Sequence, residues 1–416
     1  MLTSLIVPAR LRLRTLVCAS LLGLVLPHIP ARAAESPRFV QDRLAIAAWV
    51  DPPMNTEADK RYAELAGANF NVVFGGFGAR TPAEIKRQLG LGRKHGLKVL
   101  PYYPTLPADN LPTGPACWGY FVRDEPTCSE IPALRETVSR LRQTRPGHLA
   151  WINLFPNYAS PEQLGAKTYE EYVRRFADEV DVDVLCMDHY PLMSPAADTR
   201  DGYCANLEVM RKVSLAKGIP FWNFFNTLPF DAFDDPTEAQ IRWQVFASLA
   251  YGAKGVIYFC YWNPPDGGMV KNGGIITTDG RRTRHYEHAR RLNGELQRLG
   301  PVLMKLTSIG VCRVRSADDP AAVLAATPVG ISKGEYLIGV FRHADGRQAV
   351  MINNHHFAYT QWPTVEFKTD RQKVREIDPQ TGRERPVLDE SPKLEGLQIS
   401  LDAAASRLFL LPAPKP

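Results

Sequence analysis

Two acidic residues stand where proton transfer and nucleophilic attack could be shared between carboxyl groups. Glu125 ends the stretch Gly119-Tyr120-Phe121-Val122-Arg123-Asp124-Glu125 and is followed at once by Pro126. Strand side chains alternate between faces, so Phe121, Arg123 and Glu125 are expected on the inner face, with Tyr120, Val122 and Asp124 opposite. Proline stops the strand, which leaves Glu125 at a strand-to-loop edge and Asp124 to brace the loop that follows. Asp188, in Met187-Asp188-His189-Tyr190-Pro191, closes a second apolar run, and Asp231 is held in reserve in a later loop. A carboxylic acid that protonates a leaving oxygen, paired with a carboxylate that attacks or activates water, is the set that cleaves acetals.

Other apolar runs end in Trp49, Asn153, Tyr190, Asn226, Tyr261 and Trp262. Together with Arg123 they form the expected substrate-binding set. Rings stack on the C–H faces of a sugar while amides and charged groups meet its hydroxyls, so a carbohydrate is the expected partner. His189 and the pair His355-His356 lack ligand spacing, and Gly75-Gly76-Phe77-Gly78 lacks both the dinucleotide order and a phosphate-loop lysine. No metal and no organic cofactor is expected.

The elements that must hold these groups are legible as eight short apolar runs: 44–50, 70–77, 97–103, 119–125, 149–155, 182–190, 220–226 and 255–262. Helical periodicity fills most of the intervals, at 57–66, 82–95, 131–142, 169–179, 204–217 and 237–251, while 104–118 is proline-rich and aperiodic. Strand and helix alternating eight times predicts a (β/α)8 TIM barrel, whose site is built where the strand C-termini converge. A closing helix is expected at 285–303. Beyond it the texture changes to alternating runs at 336–341, 349–353 and 407–411, with turns at Ala344-Asp345-Gly346 and Gln380-Thr381-Gly382. This pattern predicts a small antiparallel β-sandwich. The expected organisation is a leader at 1–33, a barrel at 34–306 and an accessory sandwich at 307–416.

The leader is read from Arg10, Arg12 and Arg14, an apolar stretch over 16–26, and the small-x-small triplet Ala31-Arg32-Ala33. That order is the one of a secretory signal peptide, so a secreted or periplasmic location is expected, with no membrane insertion of the mature chain. The formal charge is +6, and removing four of the 50 basic residues and none of the 44 acidic ones leaves about +2. Such a balance gives nucleic acid no electrostatic footprint. Cleavage also removes Cys18 from seven cysteines. Among the rest, the extended run between Cys117 and Cys128 holds them too far apart to bridge, and Cys128 with Cys204 is the feasible pairing.

The segment from Gly119 to Pro126 resembles the fourth-strand motif of barrel glycoside hydrolases of the β-galactosidase-like clan, in which a Glu at this place is the general acid. Arg242-Trp243-Gln244 together with Leu249-Ala250-Tyr251-Gly252-Ala253-Lys254-Gly255 and Tyr258-Phe259-Cys260-Tyr261-Trp262 resembles the seventh helix and eighth strand of that group. Gly274-Ile275-Ile276, Asp279-Gly280, Tyr286 and Leu292-Asn293-Gly294-Glu295-Leu296 resemble its exit into an accessory β domain. The resemblance implies a glycoside hydrolase with Glu125 as acid. Retaining members carry their nucleophilic Glu at the seventh strand end, where this chain reads Phe221-Trp222-Asn223-Phe224-Phe225-Asn226. Asp188 is therefore the expected second carboxylate. The rival expectations are a carbohydrate-binding barrel without catalysis and a lyase or aldolase, the latter needing a lumenal lysine or metal cluster.

Overall fold

The structure, a computed structural model, describes residues 36–107, 110–193, 197–264, 273–318 and 320–413; the leader expected at 1–33 lies outside them. The apolar runs form parallel strands β1 (Ala45–Ala48), β2 (Val72–Phe74), β3 (Lys98–Leu100), β4 (Gly119–Asp124), β5 (Leu149–Asn153), β6 (Leu185–Asp188), β7 (Phe221–Asn226) and β8 (Gly255–Phe259). Six of them pair in the order β3-β2-β1-β8-β7-β6, and β4 pairs with β5. Parallel bridges of Val99 to Cys117 and Tyr102 to Phe121 join β3 to β4, and Leu154 to Met187 joins β5 to β6, so the barrel closes.

Helices α1 (Ala58–Gly67), α2 (Pro82–His95), α3 (Ile131–Thr144), α4 (Pro161–Leu164), α5 (Tyr169–Arg175), α6 (Arg200–Lys217), α7 (Glu238–Ala250) and α8 (Arg284–Leu303) wrap it. Their starts follow local chemistry. Thr81 with Glu84 and Thr237 with Gln240 form capping boxes at α2 and α7, and Thr283 caps α8. Among the described residues, the proline-rich crossover after β3 contains only a short 3-10 turn, Tyr103–Thr105. The lumen is packed solid, as barrels of this kind are. Trp49 meets Phe74, Phe121, Trp151 and Phe224 at ring separations of 4.8 to 5.7 Å.

After the barrel come β9 (Leu306–Val314), α9 (Pro320–Ala326), β10 (Val329–Ile331), β11 (Tyr336–His343), β12 (Gln348–Asn354), β13 (Thr364–Phe367), β14 (Arg375–Ile377), β15 (Glu384–Pro386), β16 (Leu397–Gln398) and β17 (Ser406–Leu411). A six-stranded sheet, β15-β14-β17-β12-β11-β9, faces a three-stranded one, β10-β13-β16. Alternation gives the larger sheet two apolar faces. Ile338, Val350, Ile352 and Phe409 pack toward the small sheet. Leu337, Phe341, Met351 and Leu408 join the barrel's own core. The sheet lies on α7, which explains why that helix is buried nearly all round. Gly339 is needed there, because a Cβ would come within 2.5 Å of the Ala250 carbonyl oxygen. Among the described residues no helix is long and apolar enough to cross a membrane.

Candidate active site

The end of β4 decides the site. Phe121 pairs with Trp151, but the next register partners are Arg123 with Ile152 and Asp124 with Asn153, so Val122 is an extra residue in a bulge. A bulge reverses the alternation beyond it. Phe121 faces the lumen as expected, but Arg123 is turned outward, where its Nε and Nη2 donate to Glu130 at 2.8 and 3.2 Å. The expectation that Arg123 binds substrate is thereby corrected. So is the role given to Asp124, which shares the inner face with Asn153. Glu125 follows at φ 46°, a left-handed conformation uncommon for a residue with a side chain, and its N–H donates to the Asn153 carbonyl at 3.0 Å. This kink brings two consecutive acids to one place.

Asp188, at the end of β6, completes the cluster. The Asn153 amide nitrogen donates to Asp124 Oδ1 at 3.1 Å and to Asp188 Oδ1 at 3.0 Å, so one side chain clamps two carboxyl groups. Glu125 and Asp188 come within reach of a shared proton. Burial, reinforced by the charge of Asp124, pushes Glu125 up to about 7. Burial and then the charges of Glu125 and Asp124 push Asp188 well above the usual carboxylate range. Three acids crowded into one dry site cannot all ionise, so the cluster holds a proton near neutral pH.

The walls are aromatic. Tyr190 meets Phe230, Phe259 and Phe233 at 5.1, 5.4 and 5.7 Å. Tyr158 stands beside both acids, which together with burial push its phenol upward. Trp49 lies in the ring cluster that fills the lumen beneath. The Oδ1 atoms of Asn153 and Asn226 are buried and have no hydrogen-bond partner among the described residues. Unpaired buried acceptors at a mouth fit a ligand that brings hydroxyl donors.

Two more expected binding residues, besides Arg123, lie elsewhere. Tyr261 is fully buried against Phe70 and close to Glu64 and Tyr286, which places it in the layer between sheet and helices. Trp262 is covered by the Arg61 guanidinium, 5.3 Å above its ring. Both follow β8 on a stretch that still runs beside the end of β1, the Tyr261 and Trp262 N–H groups donating to the Trp49 and Val50 carbonyls at 2.8 and 3.2 Å. Asp231 is exposed on a turn and takes no part in the acid cluster. His189 is held by Asn206 at 2.9 Å, and burial lowers it to about 4, so it is neutral. The proposed Cys128–Cys204 bridge is not formed: Cys117, Cys128, Cys186, Cys204, Cys260 and Cys312 are all free thiols. Asp124, Tyr158 and Phe259 were missed as site residues. The adjacent acids of Asp124-Glu125 were the only local signal for the first, and nothing local distinguishes Tyr158.

A family model described as Beta-galactosidase matches residues 134–299, from α3 through most of α8. The stretch from α3 to α8 is thus similar to a glycoside-hydrolase family of β-galactosidases. Among solved structures, this chain is similar to a GH42 beta-galactosidase from G. stearothermophilus, with a TM-score of 0.61 at 10% identity over 91% of this chain and 100% of that one. A beta-galactosidase from Bacillus circulans sp. alkalophilus gives 0.57 at 9% identity over 89% and 99%. At such identities the likeness is one of fold. A beta-galactosidase from the psychrophilic Marinomonas ef1 aligns with a TM-score of 0.47 at 13% identity over 61% of this chain, which spans only 60% of that enzyme. Among curated proteins none matches the sequence.

Proposed function

We propose that this barrel hydrolyses a glycosidic bond in an oligosaccharide or polysaccharide, with Glu125 and Asp188 as the reacting carboxyl groups. The observation that carries the reading is their juxtaposition at the ends of β4 and β6, where the Asn153 amide donates to Asp188 and the Asn153 carbonyl accepts from the Glu125 N–H, walled by Tyr190 and Phe259. Carboxyl groups this close suit the retaining arrangement of about 5 Å better than the inverting one of about 6.5 to 9.5 Å, which leaves room for a water. Asp188 attacks the anomeric carbon while the Glu125 proton passes to the departing oxygen. Glu125 then takes a proton from water, which displaces Asp188 and releases the sugar.

Asp188 is buried more deeply than Glu125, and this favours a second reading in which the two exchange roles and Asp188 holds the resting proton. Leaving-group dependence separates them. Nitrophenyl glycosides need little protonation, so the acid variant recovers on them and the nucleophile variant does not. The β-galactosidases of similar fold make β-galactosides the first substrates to assay. Glu125→Gln should lose at least ~10²-fold on a natural glycoside and less on the nitrophenyl one. The reverse pattern assigns the acid to Asp188. Binding of glycans by wild type without any sugar release would leave the non-catalytic barrel as the correct reading.

We further propose export of the mature chain, supported by the basic, apolar and Ala-x-Ala order of its first residues.

A further inference from the structure

The loop after Asp188 does not end at the catalytic mouth. Pro191 and Leu192 continue into a cavity of about 260 Å³ whose opposite wall is Trp243 on α7 with His356 and Phe357 from the sandwich. This volume lies just under the ~300 Å³ lower end for small-molecule sites, enough for one sugar ring. Three residues of chain span at most about 11 Å, so the cavity begins within a few sugar units of Asp188.

Its walls are fixed before any ligand arrives. Arg200, the first residue of α6, grips Asp198 through Nε and Nη2, each at 2.8 Å, and donates from Nη1 to Glu335 at 2.7 Å and to the His355 carbonyl at 3.1 Å. Trp243 Nε1 donates to His355 Nδ1 at 3.2 Å, which leaves the hydrogen of the neutral imidazole on Nε2. That Nε2 is buried and has no partner among the described residues. Phe357 lies 5.6 Å from Trp243, and His356 stacks on the half-exposed Tyr359 at 3.9 Å. The rings of Trp243, His356 and Phe357 and the exposed Asp198 carboxylate, all lining the cavity, are the groups that hold a sugar.

We propose that this cleft is an accessory subsite for a distal unit of a carbohydrate chain whose scissile bond lies in the catalytic mouth. The inference rests on the glycosidase reading and extends it to an extended oligosaccharide substrate. The sandwich then serves as part of the substrate-binding surface, because His356 and Phe357 supply their side of the cavity from outside the barrel.

The test uses the full chain, 4-nitrophenyl β-galactoside as a one-sugar probe, and β-galacto-oligosaccharides of increasing length. Phe357→Ala and His356→Ala should lower kcat/KM on the longer oligosaccharides by roughly 3- to 10-fold, mainly through KM, and leave the nitrophenyl glycoside unchanged. If Phe357→Ala fails to fold, the half-buried His356 position carries the comparison. Unchanged rates at every length, or equal losses on short and long probes, overturn the subsite while leaving the glycosidase reading intact. Failure of wild type to cleave either probe overturns the glycosidase reading, and the subsite with it.

Discussion

Replacing Glu125 by Gln removes a charge from a site that resists it, so the variant should be more stable than wild type at alkaline pH. The carboxyl is pushed from an ordinary 4.5 to about 7, chiefly by burial and then by Asp124. Each unit corresponds to ~1.4 kcal/mol, giving an upper figure of ~3.5 kcal/mol; partial exposure and coupling to Asp188 reduce this to about 2 kcal/mol. The sign follows from proton binding. Between about 4.5 and 7 the folded state holds a proton that the unfolded chain has released, so wild-type stability falls as pH rises through this window. Gln does not titrate. The variant's advantage should therefore be absent near pH 4, grow through the window and level off above about 7. At an unfolding entropy of ~2.1 cal/mol/K per residue, 2 kcal/mol in a chain of this size corresponds to about 2 to 3 °C. Calorimetric scans of both proteins at pH 4 and pH 8 measure it. An equal difference at the two pH values, or a less stable variant at pH 8, would refute the argument that Glu125 sits in a dry, acid-crowded site. The same protonated form is the one proposed to donate to the leaving oxygen, so wild-type kcat/KM should decline as pH rises through about 7.

Asp188→Asn should lose at least ~10²-fold in turnover on natural and activated glycosides alike, and near-normal kinetics would move the second carboxyl role away from β6. Asn153→Ala frees Asp124 and Asp188 from their common donor and should destabilise the fold by about 1 to 3 kcal/mol, read by denaturant unfolding; a neutral change would mean the clamp is unimportant. Alkylation of the unfolded protein without reductant should label all six cysteines from Cys117 to Cys312, and protection of any pair would reveal a bridge. Mature protein recovered outside the cytoplasm should begin at or within two residues of Ala34, and full-length cytoplasmic protein would contradict export.

The sequence by itself determined the strand and helix order, because apolar periodicity and capping residues are local properties. The runs at 119–125 and 220–226 become β4 and β7 almost residue for residue, and α2 begins at the Thr81 cap and stops at the left-handed Gly96. The change of texture near Thr307 likewise marks a sheet whose alternation is visible in Tyr336 to Phe341. What the tertiary structure decided is which way the side chains at the strand ends point. Val122 becomes a bulge only through its pairing with β5, and that single extra residue exchanges Arg123 for Asp124 on the inner face. No period within 119–125 contains this information, since both registers satisfy the same alternation of residue types. Tyr261 and Trp262 moved for a related reason: beyond the last strand residue, direction is set by what the loop packs against, here Phe70, Arg61 and Tyr286. The meeting of Trp243 with His355 across 112 residues is likewise invisible locally. It exists because the sheet's second apolar face needs a surface to cover, and α7, apolar on both sides, supplies one.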